Sequence, residues 1–410
     1  MPVRVVVLDH TAQTGGAELA LLRTCAALDP TRVDVTVLLF ADGPLVDRLR
    51  SLGVRVRVLP LDARVAGADR HSAGRWAALG SLLRTLPFIG RLARELRRLD
   101  PQVVHTTSLK ADLIGLPAAR LARRPVIWHL HDRVAPDYLP GVVVRVLRTL
   151  ARRVDAVVVN SAATAATLPG IDTVLAYPGL APEQIGPDPV DRQRPEPPVV
   201  GIVGRISPTK GQLEFLDAAE RLAAADDRLR FRVIGDSLFA EQEYADQVRV
   251  RAERGVLAGR VEFTGWVADP ASELDRLSVM VHASPTPEPF GQVVAEAMAR
   301  GVPVVATSGG GVDEIVRPPG QDPRGELVAP GDVDGLVDAV TRLLADPDLA
   351  ASRARQAWFG VRRDYPVART AEVLTEVWER NARGRAPRAS AAPGPTSSAP
   401  RPADQEPAAR

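Results

Sequence analysis

Two stretches of this chain combine charge with turn residues in a way that suits an anionic, hydroxyl-rich ligand. In EPFGQVVAE, residues 288–296, two glutamates flank a Pro-Phe-Gly turn. A carboxylate only accepts hydrogen bonds and a vicinal diol donates two, so Glu296 suits a ribose and Glu288 suits hydroxyls of a sugar or of a group near a phosphate. A helix expected to start at the turn would offer N–H groups at Phe290 and Gly291 to a phosphate oxygen. Glu296 would then lie about 7.5 Å further along the helix axis, the scale of the step from a nucleotide's phosphates to its ribose.

The second stretch, GRISPTKG (204–211), follows the apolar run PVVGIVG and precedes QLEFLDAAERLAAA, which has helical character. A glycine-flanked loop entering a helix presents backbone N–H groups and the positive dipole end to an anion. Arg205 adds a planar fork and Lys210 a compact charge, a pair that suits a diphosphate better than a carboxylate. Each stretch alone also fits a solvated surface; their joint placement at strand ends in one domain favours the ligand. A third loop, TGGAE (14–18), places Gly15 and Gly16 where backbone can approach a ligand closely, although such turns are common in α/β proteins. HLHD (129–132) closes a strand, where doubly wound sheets place ligand groups. His129 and His131 would share a face if the strand continued, so the turn after Leu130 decides which reaches a cleft. A packed, hydrogen-bonded core histidine is the alternative for either.

The elements that must position these residues read as two series of short β-branched runs separated by helical segments. The first comprises residues 3–8, 33–40, 54–59, 102–105, 125–130 and 155–160; the second comprises 198–204, 230–235, 260–265, 278–284, 302–307 and 325–330. Such alternation predicts parallel sheets covered on both faces. The expected fold is α/β, with two doubly wound Rossmann-like domains at 1–180 and 199–357 facing across a cleft. Frequent prolines in 177–198 forbid regular helix, and 181–198 is expected to be the linker. Residues 358–382 have helical spacing after Pro366, with Val373, Leu374, Val377 and Trp378 apolar, and are expected to pack back near the first domain. Residues 383–410 are rich in Pro, Ala, Ser and Arg and are expected to be a disordered tail.

Composition excludes some functions. The 52 basic and 50 acidic residues nearly cancel, so the overall field gives no reason to expect nucleic acid. Cys25 is the one cysteine, which forbids an intramolecular disulfide, suggests a buried thiol and fits a reducing cytoplasm. The N-terminus lacks the charged and apolar regions of a secretory signal, and no run of 18 apolar residues occurs. Residues 75–100 and 139–153 mix arginine with Leu, Ile, Phe and Val, so peripheral contact with an anionic membrane face is possible beside the plainer reading of ordinary cover helices.

GRISPTKG, EPFGQVVAEAMARGVPVVATSGGGVDEIV and the intervening FTGWVADPASELDRLSVMVHASP together resemble the GT-B glycosyltransferases of the family 4 (glycosyl transferase group 1) type. The similarity extends over nearly all of residues 1–382 and is densest in the second domain. The resemblance implies that Arg205 and Lys210 bind a donor diphosphate, that Glu288 contacts the donor sugar and that Glu296 binds the ribose. Backbone at Phe290 and Gly291 belongs to the same pocket, Gly15 and Gly16 face the phosphates and the acceptor, and His131 lies near the transferred sugar. His131, Glu288, Arg205 and Lys210 would carry the catalysis. The implied reaction moves a hexose from a nucleoside-diphosphate sugar to a glycan, lipid-linked or small-molecule acceptor with retention, without a cofactor.

No metal is expected: DVD (332–334) reads as a helix N-cap and DPD (346–348) as a loop. No carboxylate nucleophile can be assigned, which favours a same-face internal return. A dinucleotide oxidoreductase is disfavoured because GIVGRIS keeps two glycines of G-x-G-x-x-G. A sugar-nucleotide epimerase and a catalytically silent sugar-nucleotide binder remain as alternatives. Many relatives carry an asparagine before the linker glycine where this chain has AYPGL, with Tyr177 and Pro178, which puts a hinge or acceptor role there in doubt.

Overall fold

The computed structural model describes residues 1–61, 75–237, 241–267 and 269–383. Near-continuous Val, Ile and Leu runs form inner strands buried on both faces, as parallel sheets require, while the edge strands stay partly exposed. One sheet holds β1 (Val3–Asp9), β2 (Val33–Leu39), β3 (Arg55–Val58), β4 (Val103–Thr106), β5 (Val126–Leu130), β6 (Ala156–Val159) and β7 (Thr173–Leu175), in the spatial order 3-2-1-4-5-6-7. The other holds β8 (Val199–Val203), β9 (Arg230–Ile234), β10 (Val261–Gly265), β11 (Val279–His282), β12 (Val304–Thr307) and β13 (Glu326–Val328), in the order 10-9-8-11-12-13. Every pairing is parallel, with Val5 opposite Val35 and Val103, and Val200 opposite Phe231 and Val279. The chain therefore forms the two doubly wound α/β domains expected from its sequence. In each sheet the strand order reverses beside the first strand, between β1 and β4 and between β8 and β11, opening a crevice at the carboxyl ends. The edge strand β7 has no counterpart among the expected runs.

Helices cover both faces. The first sheet carries α1 (Gly16–Ala27), α2 (Pro44–Ser51), α3 (Arg75–Leu99), α4 (Leu109–Leu121), α5 (Gly141–Ala151) and α6 (Ala162–Ala166). The second carries α7 (Gln212–Ala225), α8 (Gln242–Ala252), α9 (Ala271–Asp275), α10 (Gln292–Ala299), α11 (Val312–Val316), α12 (Val333–Ala345) and α13 (Pro347–Asp364). The last helix, α14 (Val367–Arg383), returns to the first sheet, where Leu374, Val377 and Trp378 pack with Val5, Val7 and Val37. Asp332 caps α12 by accepting from Gly335 N (2.8 Å). DPD, expected as a loop, instead starts α13: Asp346 accepts from Leu349 N (2.9 Å) with Pro347 in the first helical position, a place where proline's missing donor costs nothing. Cys25 is half-buried against the same core as α14, and burial pushes its thiol up to about 12.

Over residues 85–99 of α3 and along α5, the apolar stripe is largely spent inward. In α3, Phe88, Ile89, Leu92 and Leu96 are buried and Leu86 is exposed; in α5, Val144 and Leu147 are buried while Val142 and Val146 face out. No helix among the described residues is long and apolar enough to cross a membrane. The expected tail lies, beyond Arg383, outside the described residues.

Two crossings join the domains, and they run side by side. Leu180 N donates to Tyr365 O (2.8 Å), Val367 N to Leu180 O (3.0 Å) and Thr370 Oγ1 to Tyr177 O (2.7 Å). Two of the linker's prolines open 3₁₀ turns, Pro182–Gln184 and Pro189–Asp191. Tyr177 sends its hydroxyl to Glu314 Oε2 (2.8 Å) and packs its ring against Phe290 and Tyr365. Glu314 also accepts from Ala162 N (3.1 Å) and Ala163 N (2.7 Å), and Ser161 Oγ donates to Pro289 O (2.5 Å), so the domains touch through α6.

Gly179 has no room for a side chain, since a methyl group there would lie 2.3 Å from Val367 Cα. Gly179→Ala is expected to lower unfolding stability by about 1–3 kcal/mol through overpacking of the crossings. A urea titration followed by tryptophan fluorescence measures this, and wild-type stability would contradict the tight crossing.

Candidate functional site

The loops after β8 and β11 meet at the switch point of the second sheet. The 204–211 loop is shaped by the buried side chain of Gln212, which donates to Arg205 O (2.9 Å) and accepts from Ser207 N (3.3 Å). Gly211 caps α7 at φ +77°, and a methyl group there would lie 1.9 Å from Ala283 O, so glycine lets the loop rest on the end of β11. This contact delivers Lys210 Nζ to 2.5 Å from Glu288 Oε1. Burial would raise the Glu288 pKa, but the Lys210 ammonium, and after it His282 with Nε2 at 3.6 Å, outweigh burial and hold the carboxyl at about 2. His282 is itself buried, and its Nδ1 lies 3.4 Å from Thr307 Oγ1.

Arg205 is placed differently from expectation. Its side chain is 45% exposed and its Nε stands 3.2 Å from Glu241 Oε2, so the two cations of the loop point to different carboxylates. A long flexible side chain on a loop takes the nearest opposite charge, and Glu241 lies beyond the reach of any local pattern.

The Glu288 turn is braced by two glycines of a neighbouring loop. Gly311 N donates to Glu288 O (2.9 Å), and methyl groups on Gly310 or Gly311 would lie 1.8 Å from Glu288 O and 2.5 Å from Phe290 Cα. Phe290 is buried, its ring set against Tyr177 and Tyr365, so its side chain anchors the turn. Gly291 is the N-cap of α10 at φ +100°. With Gly291 as N-cap, its own N–H and those of Gln292 and Val293 are left over by the helix, so the donors extend two residues beyond the expected Phe290 and Gly291. Glu296, five residues on, is buried: its Oε1 accepts from Gln292 Nε2 (2.9 Å) and Gln184 Nε2 (3.0 Å), with Arg23 Nη1 at 3.4 Å. It is a junction of α10, the linker and α1, a role that its polar position in the sequence does not announce.

The first domain supplies the opposite wall. Gly15 caps α1, and a methyl group on Gly16 would lie 3.8 Å from Gln292 Oε1, which places the glycine loop against the start of α10. Glu18 folds back over Gly15 and is buried. Burial first and Asp9 second raise its carboxyl to about 7, against hydrogen bonds from its own and Gly15's backbone, with Asp132 adding to the rise. Of the two histidines, His129 lies inside the sheet at 5% exposure, and His131 follows in the loop, half-buried. Burial lowers the His131 pKa while Asp132 and Asp9 oppose it. The His131 carbonyl accepts from Asn160 Nδ2 (3.1 Å), which fixes the turn. Sequence reasoning missed His282, Gln184, Arg23 and Glu18; of these His282 alone leaves a local signal, a polar residue inside the apolar run VMVHAS.

The folded-state pKa of Glu18 stands above the unfolded value near 4.5. Its bound proton therefore stabilises fully below pH 4.5, and that contribution fades as pH rises through 7. Glu18→Gln is expected to be more stable than wild type by about 2–3 kcal/mol at pH 8 and no more stable at pH 4. Equal urea midpoints at pH 8 would contradict this environment.

Comparison with known proteins covers both domains. The model for glycosyl transferases group 1 matches residues 188–358, and the model for a glycosyl transferase 4-like domain matches residues 15–173. The lipopolysaccharide core biosynthesis mannosyltransferase LpsB of Rhizobium meliloti is 27% identical over 297 residues, covering 65% of this chain and 83% of that protein. The 2-deoxystreptamine glucosyltransferase of Streptomyces kanamyceticus is 33% identical over 286 residues, 62% of this chain and 71% of that protein. The crystal structure of Anabaena HepE with UDP-glucose superposes with a TM-score of 0.78 at 27% identity, over 92% of this chain and 99% of that one.

Proposed function

The chain belongs to the GT-B glycosyltransferases of the group 1 (family 4) type, and we propose that it moves a hexose from a nucleoside-diphosphate sugar to an acceptor hydroxyl with retention of configuration, without a metal ion or cofactor. The observation that carries this reading is the Lys210–Glu288 pair at the switch point, beside the starts of α7 and α10. A diphosphate entering there takes the leftover N–H groups of α10 and the Lys210 ammonium. Arg205, half-exposed on Glu241, is free to swing onto the same phosphates. These charges stabilise the departing diphosphate as its charge develops, which lowers the barrier rather than merely binding the ground state. Glu296 exchanges its bonds with Gln184 and Arg23 for those of the ribose diol, Glu288 holds hydroxyls of the sugar, and His131 lines the pocket on the side of Gly15 and Gly16.

In the internal return, the bond from the anomeric carbon to the phosphate oxygen breaks while the acceptor oxygen bonds to the same face. The acceptor's proton passes to the departing phosphate. Glu18, raised to about 7, is partly protonated at neutral pH and is a poor nucleophile. Trapping a glycosyl adduct on any carboxylate would overturn this route.

The acceptor belongs, on this reading, to cell-envelope glycan or glycolipid synthesis, which the likeness to LpsB supports. A small soluble acceptor is the second reading, favoured by the higher identity to the 2-deoxystreptamine glucosyltransferase. If the acceptor is lipid-linked, Val142 and Val146 beside the exposed Arg145 on α5 form the membrane-facing patch. Val142→Ser with Val146→Ser is then expected to reduce cosedimentation with anionic vesicles, and equal recovery of both proteins would remove the membrane contact.

A panel of UDP-, GDP- and ADP-sugars assayed by release of nucleoside diphosphate tests the activity, and the product's anomeric configuration and persistence of turnover in EDTA test the mechanism. In calorimetry with the preferred donor, Lys210→Ala is expected to weaken binding by about 10- to 100-fold, the worth of a charge-assisted hydrogen bond. Glu296→Ala is expected to weaken the nucleotide and leave inorganic diphosphate unaffected. Unchanged affinity in both variants rejects the site.

A further inference from the structure

Behind His131 runs a chain of buried rings that begins on the last helix. Trp378 Nε1 stands 3.3 Å from His105 Nδ1, and His105 Nε2 stands 3.3 Å from His129 Nδ1. The His129 ring lies against the His131 ring, with centroids 4.1 Å apart and planes inclined by 37°. Trp378, His105 and His129 are 2%, 1% and 5% exposed.

The proton positions in this chain follow from one donor. An indole N–H can only donate, so His105 Nδ1 must accept. Burial drives the pKa of His105 down to about 3 and that of His129 well below the ordinary value, so both rings are neutral and each carries one proton. With Nδ1 accepting, the proton of His105 is on Nε2, where it is donated to His129 Nδ1. The proton of His129 is thereby forced onto its own Nε2, which finds no partner among the described residues. His129 lines a small cavity together with His131, Thr24 and Thr107.

We propose that Trp378 is a positioning residue for His131: its N–H sets the proton arrangement of His105 and His129, and the His129 ring fixed by that chain of bonds is the surface that holds His131 at the cleft. This rests on the reading of His131 as a residue of the donor pocket. The helix that follows the second domain in sequence thus determines the state of a side chain in the first. Replacing Trp378 by Phe keeps an aromatic ring in the core and removes the one fixed donor, after which His105 can place its proton on either nitrogen and His129 follows.

The test uses the full chain labelled with ¹⁵N. At neutral pH, long-range imidazole spectra are expected to show an unprotonated Nδ1 and a protonated Nε2 on both His105 and His129. Trp378→Phe is expected to mix these forms and to lower kcat about tenfold while donor KM stays within about twofold, the pattern of a displaced catalytic group. His131→Ala should lower kcat by itself, and adding Trp378→Phe to it should cause no further loss. Should Trp378→Phe fold poorly, His105→Leu breaks the chain from its middle and should match it, whereas His105→Gln, whose amide can accept from Trp378 and donate to His129, should restore kcat. A proton on His129 Nδ1 in the wild type overturns the proposal, as does an equal loss from Trp378→Phe with and without His131. Full kcat in His131→Ala would instead refute the role of His131, and the spectra would still decide the proton arrangement.

Discussion

A buried carboxylate must have a cation within reach, and in this protein that requirement organises the second domain. The Glu288 side chain is 12% exposed and would cost several kcal/mol if left unpaired, so the loop carrying Lys210 has to lie against the end of β11. Each local oddity serves that approach. Gly211 gives the loop a left-handed turn over Ala283, Gln212 staples its backbone, and Gly310 and Gly311 let a neighbouring loop brace the Glu288 turn from beneath. The Pro289 carbonyl in the same turn is a contact of the first domain, through Ser161, so the charge pair also fixes where the domains meet.

The cleft has two electrostatic characters. On one side Glu288 is held ionised at about 2 by a cation; on the other Glu18 is raised to about 7 by burial and a neighbouring aspartate. Environments that push like groups apart assign them different work. The second domain keeps fixed charges for an anion, and the first presents carboxyl and imidazole groups held near or below neutrality, suited to hydrogen bonding with uncharged hydroxyls.

Much of this was legible in the sequence because it depends on short-range pattern. The parallel strands announce themselves as apolar runs, and Gly211 and Gly291 mark helix starts within motifs whose charges sit at fixed offsets from strand ends. What was not legible depends on distance along the chain. Glu241 claims Arg205 from another helix, Arg23 reaches Glu296 across the domain boundary, and neither pairing leaves a local trace. DPD was misread because Asp-Pro starts a helix as readily as it ends one. Trp378 was read correctly as core, but an apolar pattern is blind to the one polar atom on its ring.

The paired crossings at 178–181 and 365–367 limit how the molecule can open. A single strap would let one half swivel freely about its bonds. Two straps laced together by Leu180, Tyr365 and Val367 resist torsion about their common direction and leave bending across their width as the soft degree of freedom. Any parting of the halves would therefore bend across this spine, the same backbone from which α14 departs.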